Sequence, residues 1–359
     1  MAGCGIPHDD EGMSNTEAHP QELVCHDGGL PAAQSACVDG VAVEIIEARD
    51  VPLGGPRAMS VRRTLPQRQR SMIGAWCFAD HYGPDEVSAT GGMDVAPHPH
   101  TGLQTVSWLF QGEIDHIDSG GNIGRVRPGQ LNLMTAGHGI CHSEVSTATT
   151  TVLHGVQLWI ALPDGVRDAL PRRFQHYEPD PVRFEGGSAL VLLGTLLGTS
   201  SPVDVHSPLV AAEIRLDPAA VLDLPVDPGF EHGVLVDSGE ITLEGVPVPP
   251  ATIGYTGIGT PRLRIRNQAT TPARIVVIGG APFGEDIVMW WNFVGRDSDE
   301  IARYRQEWED EGERFGRVEG YVGRGGPGRN DAGLGRLPAP ALPGVRLHPR
   351  RNPPPHVQA

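Results

Sequence analysis

The sequence predicts an all-β protein of two antiparallel β-barrels followed by one helix. Short apolar runs such as 105–110 and 130–135 alternate with clusters of Gly, Asn and Pro, as at 118–122 and 128–129. Runs of this length bounded by turn residues are typical of antiparallel strands. With 359 residues, the chain is long enough for two domains that each have a core.

The order of the apolar runs sets the expected domain boundaries. The first barrel should begin with a strand at 41–48 and extend to residue 171. The second barrel is expected over 172–296, from apolar runs at 189–196, 209–216, 232–237, 241–243, 263–266 and 274–278.

One helix is expected over 297–316. Asp297 can cap it and Glu300 completes a capping box, while Ile301, Tyr304 and Trp308 share one face that should pack on a barrel.

The two ends of the chain differ in charge. Residues 1–40 carry seven acidic residues and no arginine, whereas residues 317–359 are rich in Gly and Pro and carry seven arginines against two acidic residues. We therefore expect a disordered acidic leader and a disordered basic tail, and the tail could also attract an acidic partner.

Two donor pairs with i, i+2 spacing predict a metal site. His98 and His100 flank Pro99, and His142 and Glu144 flank Ser143. Residues at i and i+2 of a strand share a face, so each pair can send two donors to one side of a sheet. Three neutral imidazoles and a carboxylate suit a first-row transition metal. Two positions of an octahedral ion would remain free for substrate.

The second barrel lacks comparable donors. His232 stands alone, and no pair like His142 and Glu144 follows it. We expect this barrel to be structural or a lid, with one metal per chain.

Composition excludes several classes of function. All 28 basic residues are Arg, which excludes a Schiff-base lysine and a P-loop lysine. The formal charge of −16 disfavours direct binding to nucleic acid. No apolar run is long enough for a membrane span and no signal-peptide core is visible, so we expect a cytoplasmic protein. We also expect the protein to be a monomer. The five cysteines show no disulfide or zinc pattern.

The chain resembles the pirins, a family of iron-binding bicupins. The resemblance covers roughly residues 41–311. It rests on His98-Pro99-His100, Met134-Thr135-Ala136-Gly137 and His142-Ser143-Glu144, and on matching segments at 105–106, 112–113, 118–119, 128–129, 139–140, 157–159, 162–163, 279–282 and 284–285. It implies two cupin (jelly-roll) barrels and an Fe²⁺ ion, or another divalent transition metal, held by His98, His100, His142 and Glu144.

Three positions near the site depart from the family pattern: Thr101, Gln104 and His138 stand where the family usually has Arg, Glu and Arg. If the strand alternation continues from His98 and His100, Gln104 lies on the same face and could hydrogen-bond a ligand or a metal-bound water. Alternatively, Gln104 has no such role. His138 could line the pocket or be a plain turn residue.

Other candidates are assigned structural roles. Cys141 should point away from the metal and be buried, and His116 and His154 are expected to be ordinary strand or turn residues. The aromatic run 290–293 could wall a substrate site, but core packing is favoured.

The resemblance implies a quercetin 2,3-dioxygenase-like oxidoreductase. A flavonol would bind as its 3-hydroxyl anion and react with O₂, and the central ring would open with loss of carbon monoxide. Glu144 is the catalytic candidate because it is the carboxylate of the ligand set and could take the hydroxyl proton. The alternative is a metal- and redox-dependent regulator that binds a transcription factor or a metabolic enzyme.

Overall fold

The computed structural model describes residues 35–38, 41–52, 59–349 and 352–354, and its chain is mostly β-strand, as predicted. The strands of the N-terminal half are β1 Ser35–Val38, β2 Val41–Ile46, β3 Arg49–Pro52, β4 Ser60–Leu65, β5 Trp76–Glu86, β6 Asp94–His100, β7 Leu103–Gln111, β8 Ile114–Asp118, β9 Ile123–Val126, β10 Leu131–Thr135, β11 Ile140–Ser146, β12 Val152–Ala161 and β13 Arg173–Tyr177.

The strands of the C-terminal half are β14 Val182–Phe184, β15 Gly187–Leu193, β16 Thr195–Leu196, β17 Thr199–Ser200, β18 Leu209–Leu216, β19 Val221–Pro225, β20 Glu231–Ser238, β21 Ile241–Leu243, β22 Val246–Val248, β23 Ile253–Thr256, β24 Arg262–Asn267, β25 Ala273–Gly280, β26 Val288–Trp290, β27 Phe293–Gly295, β28 Val322–Gly323 and β29 Gly326–Pro327. The described helices are α1 Val87–Thr90, α2 Asp164–Arg167 and α3 Ser298–Glu309.

Each barrel combines a large sheet with a four-stranded sheet. In the N-terminal barrel the large sheet has the order β13-β10-β7-β12-β5-β4-β3 and the small one β6-β11-β8-β9. In the C-terminal barrel the orders are β1-β2-β23-β20-β25-β18-β15-β14 and β19-β24-β21-β22. The small sheets thus repeat one topology.

The two large sheets pack against each other through one apolar cluster. Trp76, Trp108 and Val156 from the first barrel meet Leu235 and Val276 from the second in this cluster. The opposite face of the seven-stranded sheet lines the interior of its own barrel. Because both faces are covered, β7 is buried along almost its whole length.

Strands at the domain boundary are exchanged between the barrels. Strand β2 pairs with β23 of the C-terminal sheet, and β13 pairs with β10 of the N-terminal sheet. The predicted boundaries at residues 41 and 171 therefore differ from the observed ones. A strand joins a sheet by main-chain hydrogen bonds, so its own side chains do not reveal which sheet it belongs to.

The interior of the C-terminal barrel is apolar where the N-terminal barrel carries donors. Leu222 and Leu224 of β19 pair with Ile265 and Leu263 of β24, and all four are buried in one cluster. No group of three metal-donor side chains lies wholly within this barrel in the part of the chain that the structure describes. His232 is buried, and neither of its ring nitrogens has a hydrogen-bond partner among those residues.

Helix α3 begins as predicted. Asp297 Oδ1 accepts from the backbone N–H of Asp299 and of Glu300, at 2.8 and 2.9 Å. Ile301, Tyr304 and Trp308 are buried. The helix ends at Glu309 rather than at residue 316, because the chain turns there and Glu311 adopts a φ of 52°.

The predictions for the two termini are only partly testable. Residues 1–34 and 39–40 of the predicted leader lie outside the described residues, whereas Ser35–Val38 forms a strand against β2. The predicted disorder of the tail is wrong for the described residues 317–349. Ala339 and Leu347 are buried beside α3, and Trp308 Nε1 donates to the Leu337 carbonyl oxygen at 2.8 Å.

The tail also forms hydrogen bonds to β6, the strand that carries His98 and His100. The backbone N–H of Leu337 donates to the Pro97 carbonyl oxygen at 2.9 Å, and the Tyr321 hydroxyl donates to Asp94 Oδ1 at 2.7 Å. Within the described ranges, no helix has the length and apolar character that a membrane crossing requires.

Deleting residues 336–359 should destabilise the protein. The deletion removes the buried Ala339 and Leu347 and the half-buried Leu337, and we expect the free energy of unfolding to fall by about 3 kcal/mol. Denaturant unfolding measures the loss, and deletion of residues 355–359 alone serves as the control. Equal stability of the two truncated chains would show that these contacts contribute nothing.

Candidate metal centre

The register of β11 between β6 and β8 brings the predicted donors together. His142 pairs with His98 on β6 and with Asp118 on β8. Glu144, two residues further on, pairs with His116 on β8. Residues directly opposite each other on antiparallel strands lie on the same face of a sheet, so these five side chains share one face.

A bulge in β6 fixes the tautomer of His98. Val95 pairs with Glu144 while His98 pairs with His142, so β6 has one extra residue here. His98 Nδ1 lies 3.0 Å from the Ala96 carbonyl oxygen in the bulge. Because a carbonyl oxygen only accepts, Nδ1 carries the proton and Nε2 keeps the lone pair that a metal requires.

A chain of hydrogen bonds fixes the tautomer of His142 in the same way. His116 Nε2 lies 3.3 Å from Asp118 Oδ2, so it donates to the carboxylate. His116 Nδ1 is then an acceptor, and His142 Nδ1 donates to it at 3.2 Å. The lone pair of His142 is therefore on Nε2. Polar partners of this kind orient metal-binding histidines.

The donor atoms of His98, His100 and His142 lie within 4.8 Å of one another. All three rings are buried. Burial lowers the pKa of His98 to about 4 and the pKa values of His100 and His142 well below 6.5. The imidazoles are thus neutral at pH 7, as metal ligands must be. His100 Nδ1 has no hydrogen-bond partner among the described residues. This donor set fits a first-row transition metal.

Glu144 stands beside this group rather than within it. Its carboxylate forms an overlapping group with His142 and His116, with donor atoms within 4.8 Å of one another. Burial raises the pKa of Glu144, although His116 and Ser107 oppose the rise. Ser107 Oγ lies 3.3 Å from Glu144 Oε1. A buried carboxylate in this place could serve as a ligand or as a base.

The donors line a pocket inside the N-terminal barrel. Phe78 and Trp159 stack in its wall, with ring centroids 4.0 Å apart and an angle of 10° between the planes. Arg63 donates to both carboxylate oxygens of Asp80, at 2.6 and 2.7 Å, and lies over the Phe78 ring. The other lining residues are Tyr82, Met93, Val95, Gln157 and Asn292.

The positions that depart from the family pattern lie outside this pocket. The backbone turns at Gly102, with a φ of 66°, so the alternation of β6 does not continue into β7. Gln104 Nε2 donates to Thr135 Oγ1 at 2.9 Å, so of the two alternatives for Gln104 the structure supports the one without a contact to a metal ligand. Thr101 is buried, and His138 is half-buried and does not line the pocket.

The structural assignments of Cys141 and of the aromatic run are confirmed. Cys141, Trp290, Trp291 and Phe293 are buried in the cluster that packs against α3. Asn292, within the same run, lines the pocket.

His116 and His154, expected to be ordinary residues, both belong to donor groups. In the sequence, His116 and Asp118 have the same i, i+2 spacing as the pairs at 98–100 and 142–144, and this spacing could have identified His116 as a donor. His154 joins His81 and Asp237 in a group that spans the two barrels. His81 Nε2 and His154 Nε2 lie 2.7 and 2.6 Å from Asp237 Oδ1.

The interdomain group is better suited to hydrogen bonding than to a metal. Arg62 Nη2 lies 2.7 Å from His81 Nδ1 and donates to it, so Nε2 of His81 carries a proton and donates to Asp237. Arg274 Nη1 lies 3.4 Å from Asp237 Oδ2. Two guanidinium groups beside the cluster disfavour a further cation.

Comparison with known proteins agrees with the fold. Two family profiles match the chain, Pirin over residues 58–160 and the Pirin C-terminal cupin domain over residues 211–316. The two barrels are thus those of a bicupin, and the chain belongs to the pirin family.

Relatives cover most of the chain. A Pseudomonas aeruginosa protein named provisionally as quercetin 2,3-dioxygenase PA1205 is 44% identical over 300 residues, or 83% of this chain and 90% of that protein. A pirin-like protein of Caulobacter vibrioides is 31% identical, over 74% of this chain and 92% of its own. The crystal structure of quercetin 2,3-dioxygenase from Acinetobacter baumannii superposes with a TM-score of 0.78 and 38% identity, over 86% of this chain and 98% of that chain.

Replacing Asp237 by Ala should weaken the contact between the barrels. Burial acts to raise the pKa of Asp237, but hydrogen bonds from His154 and His81 hold it well below its usual value. At pH 7 we expect the free energy of unfolding to fall by about 3 kcal/mol, because a buried ion network loses its anion. Denaturant unfolding across a pH series measures the effect.

The sign of the pH dependence follows from the lowered pKa. The stabilisation is complete above the unfolded-state pKa of about 4 and is lost as the pH falls through the folded-state value. The difference between wild type and variant should therefore shrink in acid. The control is Asp223→Ala, which breaks an exposed pair with Arg262 and should cost less than about 1 kcal/mol. A pH-independent difference for Asp237→Ala would contradict the assignment.

Proposed function

We propose that this chain is a mononuclear iron dioxygenase that cleaves a flavonol such as quercetin with O₂. The observation that carries the proposal is the group of three neutral, buried imidazoles beside a buried carboxylate, in a pocket walled by stacked aromatic rings. The names of the Pseudomonas and Acinetobacter relatives support the same activity. O₂ and a small aromatic molecule would be the substrates.

The proposed ligands are His98, His100, His142 and Glu144, around one ion per chain. When bound, iron supplies Lewis acidity toward a substrate hydroxyl and redox chemistry toward O₂. The three imidazoles stay neutral and hold their Nε2 atoms toward the ion. Glu144 accepts the hydroxyl proton, because it is the carboxylate of the proposed ligand set and lines the same pocket.

The aromatic wall accounts for the substrate class. The stacked pair Phe78 and Trp159 presents a flat apolar surface to a planar ring system. The free volume of the pocket is about 40 Å³, room for only a few molecules the size of water or O₂. A flavonol would therefore enter by displacing part of the wall and would exclude water from the donors.

Metal analysis tests the ligand set. Wild-type protein should carry about one metal ion per chain, because the described residues contain one donor group suited to a transition metal. The double variant His100→Ala, His142→Ala should carry almost none, whereas His138→Ala, outside the pocket, should match wild type. Elemental analysis of the purified proteins gives the result, and full metal content in the double variant would refute the assignment.

Replacing Glu144 by Gln separates its two roles. Glutamine keeps an oxygen donor but cannot accept a proton at neutral pH, so metal affinity should fall about tenfold while turnover of the loaded enzyme falls about 10²- to 10⁴-fold. Raising the pH should partly restore turnover, because the substrate hydroxyl then ionises unaided. Unchanged turnover per bound metal would exclude Glu144 as the base.

Oxygen consumption decides between the enzyme and a regulator. Iron-loaded protein supplied with a panel of flavonols in air should consume O₂ and release carbon monoxide. A protein that binds iron but consumes no O₂ with any flavonol would instead support the metal-dependent regulator.

A further inference from the structure

Tyr82 lines the metal pocket and carries a buried hydroxyl group that has no hydrogen-bond partner among the described residues. Phe78, Asp80 and Tyr82 alternate along β5, so all three side chains line the pocket. Tyr82 is 1% exposed, and its Oη atom has no partner among the described residues. A buried tyrosine hydroxyl normally finds an acceptor, and one left without an acceptor lowers stability.

The two carboxylates that line the same pocket, Asp80 and Glu144, do not accept a hydrogen bond from Tyr82. Both carboxylate oxygens of Asp80 accept from Arg63, at 2.6 and 2.7 Å. Glu144 Oε1 faces Ser107 Oγ at 3.3 Å. Burial raises the pKa of Tyr82 well above its usual value, and the negative charges of Glu144 and Asp80 add to the rise. Tyr82 is therefore a protonated donor close to a carboxylate that it does not bond.

Gly155 leaves the space that the Tyr82 hydroxyl occupies. The two residues are paired across β5 and β12. A Cβ atom at position 155 would lie 3.0 Å from Tyr82 Oη. A side chain at position 155 would therefore crowd the Tyr82 hydroxyl, and glycine leaves room for it.

We propose that Tyr82 binds substrate, donating a hydrogen bond to the anionic oxygen of an enolate- or phenolate-type substrate at the metal centre. This role rests on the proposed function. Glu144 accepts the proton of the substrate hydroxyl, and Tyr82 stabilises the oxygen that gains the negative charge. A donor fixed in advance and shielded from water is effective at such a position.

The melting temperature of Tyr82→Phe distinguishes a role in substrate binding from a purely structural role of the hydroxyl. The variant keeps the ring and its packing and removes only the unpartnered oxygen. If the hydroxyl serves substrate binding, its removal should leave the melting temperature unchanged or raise it, because a buried donor without an acceptor is relieved. A structural hydroxyl would give a lower melting temperature.

The decisive test compares two flavonoids. The titrations are done without O₂, are followed by absorbance and use three metal-loaded proteins: wild type, Tyr82→Phe and Tyr177→Phe. Tyr177→Phe is the control, because Tyr177 does not line the pocket. The probes are 3-hydroxyflavone, which can present an anionic oxygen, and flavone, which lacks that hydroxyl. Tyr82→Phe should bind 3-hydroxyflavone about 10- to 100-fold more weakly and flavone as tightly as wild type does, at equal metal content.

Tyr177→Phe should match wild type with both probes. Unchanged affinity of Tyr82→Phe for 3-hydroxyflavone, or equal weakening for both probes, would overturn the role of Tyr82. Failure of wild type to consume O₂ with flavonols would refute the proposed function alone, since the titrations measure binding without turnover.

Discussion

The site depends on the register of strand β11 between β6 and β8. That register sets His142 opposite His98 and Asp118, and sets Glu144 opposite His116. A shift of one residue would turn every donor on β11 to the other face of the sheet. The hydrogen bonds that fix the tautomers of His98 and His142 follow from the same arrangement, because their partners lie in the β6 bulge and on the neighbouring strand.

The large N-terminal sheet connects this site to the second barrel. Along β5, Phe78, Asp80 and Tyr82 line the pocket, while the intervening Ala79 packs in the interdomain core and His81 bonds Asp237 across the boundary. The C-terminal barrel thus supports the back of the sheet whose front face forms the pocket. This gives a structural role to a barrel whose own interior is filled by leucine, isoleucine and valine.

The sequence predicted what depends on local spacing and missed what depends on distant partners. The donor pairs at 98–100 and 142–144 were recognisable because i, i+2 spacing is a property of one strand. The exchange of β2 and β13 was not recognisable, because a strand joins a sheet through main-chain hydrogen bonds and its sequence does not specify the partner strand. The order of the tail depends on a few anchors such as Ala339 and Leu347 within Gly/Pro-rich sequence, which composition does not reveal. His116 has the same i, i+2 spacing from Asp118, but that spacing did not reveal its contact with His142 on the neighbouring strand.

Anomalous diffraction from crystals of the iron-loaded protein tests the central claim most directly. The account predicts one strong peak per chain, bound by Nε2 of His98, His100 and His142 with a carboxylate oxygen of Glu144. A peak among His81, His154 and Asp237, or one bound by His116 in place of His98, would contradict it.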